Sequence, residues 1–136
     1  MRKMRAWTVN EPGSREQLII ENRDIPVPKE GELLIKVKAA SINRTDTLTR
    51  QNPSLSKPYP ILGVEVSGIV TENRSSDSRF KPGSKVAGLV NHGGYAEYVT
   101  MPADRAILFH DSLSMEAAAA IPEVFLTAYQ TLYWLG

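Results

Sequence analysis

Apolar and polar residues alternate most clearly over residues 32–39, where Ile35, Val37 and Ala39 are separated by Lys36 and Lys38. That period of two predicts a strand with one face on a core and the other in water. Residues 62–70 read as a second strand, in which Gly63 and Gly68 mark a bend or the close approach of another backbone or ligand. Shorter strands are expected at 6–9, 18–21, 85–90 and 95–99, with Pro12-Gly13, Pro26, Pro28, Gly31 and Pro82-Gly83 as turn chemistry between them. Such a succession predicts an antiparallel barrel or sandwich from residue 3 to about 109. Within it, residues 45–51, entered through Asn43 and stopped by Pro53, predict one or two helical turns.

The pattern then becomes helical. Ser114 offers a cap, Glu116 an acid in the first turn, and Ala117-Ala118-Ala119-Ala120 a run of strong helix formers. Pro122 ends that helix and is well placed to open another over 123–135. On the second helix Glu123, Thr127, Gln130 and Thr131 share a face, and apolar residues from Val124 to Leu135 occupy the rest. A helix that apolar is expected to be buried on most sides. No later element supplies the covering layer, which leads to the expectation that the chain is part of a longer protein.

Composition narrows the function classes. At 136 residues the chain fits one domain, and 42% hydrophobic with 23% charged residues is globular. A net charge of +1 gives no field that would select nucleic acid or an anionic membrane surface. No apolar run approaches the roughly 18 residues of a bilayer span. Met1-Arg2-Lys3-Met4-Arg5 has the charge of a signal peptide, but Trp7-Thr8-Val9-Asn10-Glu11-Pro12 follows where its apolar stretch would be, so a cytoplasmic protein is expected. Zero cysteines remove disulfides, thiolate nucleophiles and the common structural zinc sites.

Several motifs in order carry a resemblance: Met4-Arg5-Ala6, Ala40-Ser41-Ile42-Asn43-Arg44-Thr45-Asp46, Ile61-Leu62-Gly63-Val64-Glu65-Val66-Ser67-Gly68, Phe80-Lys81-Pro82-Gly83-Ser84-Lys85-Val86, Gly93-Gly94-Tyr95-Ala96-Glu97-Tyr98-Val99 and Ala118-Ala119-Ala120-Ile121-Pro122. Together they resemble the medium-chain dehydrogenase/reductase superfamily, and within it the zinc-free quinone oxidoreductases of the zeta-crystallin type. The resemblance implies a mainly β fold with C-terminal helices: a GroES-like, partly open β-barrel serving as catalytic domain over residues 1–122. Residues 123–136 would then be a helix leading into a nucleotide-binding domain that this chain lacks. It also implies NADPH as cofactor in the full-length parent and a quinone or small conjugated carbonyl as substrate. In zinc alcohol dehydrogenases a cysteine stands where Asn43 stands and a histidine where Val64 stands, so no metal site is expected. Reduction would run as direct hydride transfer from the nicotinamide, the protein supplying orientation and dipoles.

Asn43 is the first choice for contact with substrate or nicotinamide, because its amide donates and accepts at once; its structural role would be a helix cap. Arg50 could hold an anionic group or polarise a carbonyl in the cleft, or else pair with Asp46 four residues earlier on the surface. Tyr59 and Glu65 are candidate substrate-binding residues. Glu65, among valines and glycines, must either face water or be paired. Thr127 would ordinarily bond back to the preceding turn, whereas the resemblance places it toward the cofactor. His92 reads as a turn residue and His110 as a loop residue. The expectation is the catalytic domain of an NADPH-dependent quinone oxidoreductase or enone reductase, inactive by itself and self-associating, as a homodimer for instance, through its last helix. The alternatives are a stand-alone GroES-like binding or assembly module without catalysis, and a zinc alcohol dehydrogenase domain.

Overall fold

The computed structural model describes residues 2–52 and 58–135. Seven strands run β1 Lys3–Val9, β2 Leu18–Asp24, β3 Glu32–Ala40, β4 Glu65–Asn73, β5 Lys85–Leu89, β6 Tyr98–Pro102 and β7 Ala106–Leu108. Among the described residues three α-helices, α1 Arg44–Gln51, α2 Met115–Ala119 and α3 Pro122–Tyr133, and two 3-10 turns, Arg15–Gln17 and Ala103–Arg105, complete the order. All described pairings are antiparallel: β1 with β2 in a ribbon, and β6-β3-β4-β5-β7 in a larger sheet. A bridge between Ala6 and Ala96 joins ribbon to sheet, so the barrel is partly open, as its motifs imply.

The alternation in β3 puts Leu33 and Ile35 at full burial, against Val66, Val70, Val86, Val99, Met101 and Phe80. Burying side chains of this size contributes about 1.5–3 kcal/mol each, and this cluster closes the sheet on itself. Gly68 lets β3 lie close: a Cβ there would collide with the Lys36 carbonyl and the Ile35 side chain.

β1 and β2 run longer than the stretches expected at 6–9 and 18–21, and two further strands are displaced from the sequence expectation. The strand expected at 62–70 begins at Glu65, because Gly63 takes φ +95° and turns the chain. Residues 62–64 bond sideways instead, with Tyr95 N donating to the Leu62 carbonyl at 2.9 Å and Val90 N to that of Val64 at 2.8 Å. The strand expected at 95–99 moves to Tyr98–Pro102 for the same reason, since Gly94 and Tyr95 are occupied by this crossing. β7, Ala106–Leu108, is the strand expected to end at Phe109, just before the loop of His110.

Helix α1 starts at Arg44 with Asn43 as extended N-cap, and Pro53, expected to stop it, lies outside the described residues. Ser114 caps α2, its hydroxyl accepting from Ala117 N at 3.1 Å. α2 lies on the sheet through buried Ala118 and Ala119, and Ser67 donates to the Met115 carbonyl at 2.6 Å. α3 contrasts with it: Phe125 is 64% exposed and Leu132 71%, so the face expected to be buried is open.

Candidate functional site

Two buried carboxylates organise one end of the barrel. Glu65, the first residue of β4, is 1% exposed. Its Oε2 accepts from the Ser41 hydroxyl and, at 3.1 Å, from Asn43 Nδ2. Its Oε1 accepts from Glu123 N at 2.7 Å. Because Pro122 carries no N–H, Glu123 has the first free amide of α3, and a carboxylate there satisfies an orphan donor at the positive end of the helix dipole. Glu65 thus resolves the alternative left open by sequence: it is paired and faces inward.

Asp46, also buried, accepts from Asn43 N at 2.9 Å, from Gly63 N at 3.0 Å and from the Tyr95 hydroxyl at 2.8 Å. The surface pair expected between Asp46 and Arg50 is therefore not formed. Asp46 is consumed by the start of its own helix and by the Gly63 turn, and Arg50 Nε instead donates to the Gly13 carbonyl at 3.0 Å, fastening the loop after β1. Tyr95 also donates to the Ser41 carbonyl at 3.1 Å, so the two carboxylate clusters share the segment 41–43.

Of the sequence candidates, this arrangement brings Asn43 and Glu65 together. Arg50 is bonded toward Gly13. Tyr59 lines a separate cavity with Arg23 and Pro58, where its carbonyl accepts from the Arg23 guanidinium at 3.5 Å. Thr127 is exposed on α3, and its carbonyl accepts the Thr131 hydroxyl at 2.8 Å, so the backbone bond drawn one turn back belongs to Thr131. His92 is an exposed bend residue, and His110 bonds Ser112 within its own loop. Sequence reasoning missed Ser41, Tyr95 and the buried role of Asp46. The spacing Asn43-x-x-Asp46 was the available signal, since an acid at that position reaches back to the cap amide.

Burial, then the hydrogen bond to Asp46, raises the Tyr95 hydroxyl pKa well above its ordinary value. The folded state thus keeps a proton that the unfolded chain releases near pH 10, so stability is retained below about pH 10 and falls as pH rises further. In a spectroscopic alkaline titration, ionisation of Tyr95 is expected to coincide with unfolding, and Tyr95→Phe should flatten the alkaline loss of stability.

A partly open antiparallel barrel whose carboxylate end receives a helix is the GroES-like class of domain. The chain belongs to the alcohol dehydrogenase GroES-like domain family, whose pattern matches residues 29–111, and through it to the medium-chain dehydrogenase/reductase superfamily. It is 35% identical over 135 residues to a mouse protein described as synaptic vesicle membrane protein VAT-1 homolog-like, covering 96% of this chain and 32% of that protein. The crystal structure of the human protein of that description superposes with a TM-score of 0.92 at 33% identity, covering 98% of this chain and 44% of that one. The Escherichia coli quinone oxidoreductase complexed with NADPH superposes with a TM-score of 0.86 at 28% identity, covering 97% and 41%. The chain therefore spans about a third to under a half of the length of these relatives. Among the described residues no helix is long and apolar enough to cross a membrane.

Proposed function

We propose that this chain is the substrate-side domain of an NADPH-dependent oxidoreductase that reduces a quinone or another small conjugated carbonyl by direct hydride transfer without zinc. The observation that carries the reading is the fixed amide of Asn43. Glu65 can only accept, so the amide nitrogen is turned toward it and Oδ1 away. Oδ1 stands at the first turn of α1, where it meets the Asp46 N–H of the capping box, and from there it can turn to accept from a carboxamide, the group that a nicotinamide carries. The same carboxylate seats α3, which holds the exposed Thr127 in a set relation to Asn43. NADPH, when bound, supplies the hydride; the chain's residues orient the carboxamide and hold the helix beside it.

The donor set does not suit zinc. By resemblance, Asn43 and Val64 stand where zinc alcohol dehydrogenases carry a cysteine and a histidine, and valine offers no donor atom, which supports the zinc-free reading. The test is NADPH oxidation by the gene product containing this chain, with quinone as acceptor and metal content measured on the same preparation. Turnover in metal-free protein is expected, with Asn43→Leu lowering kcat/KM by roughly tenfold or more. Absence of quinone-dependent oxidation, or activity that tracks bound zinc, overturns the reading.

The open face of α3 supports a companion proposal. Phe125, Leu126, Leu132, Tyr133, Trp134 and Leu135 are each at least half exposed, and a patch of this size and composition drives association in an isolated domain. The 136-residue chain is expected to self-associate at micromolar concentration. Sedimentation as a clean monomer would count against it.

A further inference from the structure

Asn43 is presented by residues 41–43, the stretch that runs from the end of β3 to the start of α1. Side chains from elsewhere take two of its backbone groups. The Asn43 N–H donates to Asp46 Oδ2 at 2.9 Å, and the Ser41 carbonyl accepts from the Tyr95 hydroxyl at 3.1 Å. The same hydroxyl donates to Asp46 Oδ2 at 2.8 Å. One phenol therefore reaches both fastenings of the stretch: the carbonyl that precedes Ile42 and the carboxylate that holds the amide following it. A hydroxyl has a single proton, and the charged acceptor, which is also the nearer, takes the larger share.

Tyr95 can hold a position because it is itself held. Its N–H donates to the Leu62 carbonyl at 2.9 Å, and its own carbonyl accepts from Trp7 N at 2.8 Å, which fixes its backbone where ribbon and sheet cross. Its ring passes against Gly63, where a Cβ would stand 2.6 Å from Cδ1. From there the hydroxyl reaches Asp46, 49 residues back along the chain. Burial, then the bond to Asp46, holds its pKa above the ordinary value, so it remains a donor throughout the neutral range. Without that hydroxyl Asp46 keeps two donors, the amides of Asn43 and Gly63, and the Ser41 carbonyl loses its tie to the carboxylate.

We infer that Tyr95 is a positioning residue of the Asn43 site: by tying the Ser41 carbonyl to the carboxylate that holds the Asn43 amide, it fixes the angle at which Asn43 meets a nicotinamide carboxamide. It acts through Asp46 and the backbone of residues 41–43. Hydride transfer is sensitive to such an angle, because the reacting atoms must be held close and aligned. The inference rests on the oxidoreductase reading and adds to it a residue that lies outside the Asn43-Glu65 pair.

The test is a cycle of Tyr95→Phe, Asn43→Leu and the two together in the gene product containing this chain, assayed as NADPH oxidation with quinone. Tyr95→Phe removes one oxygen and keeps the ring against Gly63. It is expected to lower kcat about fivefold, to leave the quinone KM within about twofold, and to have no further effect once Asn43 is leucine. Val99→Ala, which takes volume from the core without touching residues 41–43, is the comparison for lost stability, and should leave kcat unchanged. Full activity in Tyr95→Phe, the same fold-loss on top of Asn43→Leu, a matching fall of kcat in Val99→Ala, or failure of Tyr95→Phe to fold would each overturn the assignment and leave Tyr95 a residue of the fold alone. Wild-type protein that oxidises no NADPH with quinone overturns the oxidoreductase reading, and this inference with it.

Discussion

Gly63→Ala is expected to cost about 3–5 kcal/mol, combining the strain of a left-handed backbone with an overpacked contact. Gly63 sits at φ +95°, and a Cβ there would stand 2.6 Å from Tyr95 Cδ1, 2.7 Å from Tyr95 N and 2.9 Å from the Gly94 carbonyl carbon. None of these can retreat cheaply. Gly94 N donates to the Gly63 carbonyl at 2.9 Å, Tyr95 N to the Leu62 carbonyl at 2.9 Å, and the Tyr95 hydroxyl is held by Asp46. The substitution should therefore loosen Asp46 as well, exposing the start of α1. Gly31→Ala is the control, since Gly31 has φ +83° with nothing within 4 Å of its added Cβ. It isolates the backbone cost, about 1 kcal/mol or a little more. Denaturant unfolding of both variants measures the difference. Equal losses would mean that the contact with Tyr95 carries no weight.

Replacing Glu65 by leucine should be nearly as damaging, at about 3 kcal/mol. Removing a buried acceptor leaves its donors unpaired, each at a cost of about 1–3 kcal/mol unless it finds water or another partner. The donors are the Ser41 hydroxyl, the Asn43 amide and the Glu123 N–H. Ser41 can rotate toward other acceptors, whereas the Glu123 amide cannot, so α3 should come loose before the barrel melts. Hydrogen exchange at the first turn of α3 would show that directly. Glu65→Gln is more informative about the site. Its oxygen can still receive the Glu123 N–H, but its amide nitrogen then faces the nitrogen of Asn43. Adding Asn43→Asp restores a donor and an acceptor across that gap. The pair is expected to recover part of the stability lost by Glu65→Gln alone, giving a measurable coupling energy. Wild-type stability in Glu65→Leu would show that these donors have alternatives which the observed bonds do not reveal.

These two positions show what could be read from the chain directly and what could not. The alternation of Ile35, Val37 and Ala39 announced β3, because a side-chain period of two is a local property that survives into the fold. The N-caps Asn43 and Ser114 were legible for the same reason: a cap acts within three residues of itself. Gly63 and Gly68 were flagged as places of close approach, and both are. The resemblance carried by the ordered motifs gave the class of fold, which periodicity alone left between barrel and sandwich.

What failed was the pairing of charged side chains whose partners lie far along the chain. Asp46 and Arg50 are four residues apart, and helical spacing suggested a pair. Gly63 N and the Tyr95 hydroxyl, 17 and 49 residues away, took Asp46 instead. A buried carboxylate is stabilised most by several converging donors, and which donors converge is decided by the crossing of strands. Lys38 keeps the exposure that alternation assigns it with Lys36, but it has no partner on β4 because β3 slips there, and a bulge is a property of the strand pair rather than of either strand. By itself, then, the sequence determined the periodic elements, their caps and the lack of thiol ligands, all of which follow from neighbouring residues. Only the tertiary structure decided that Glu65 turns inward to join Asn43 to α3, because 58 residues separate Glu65 from the amide it accepts.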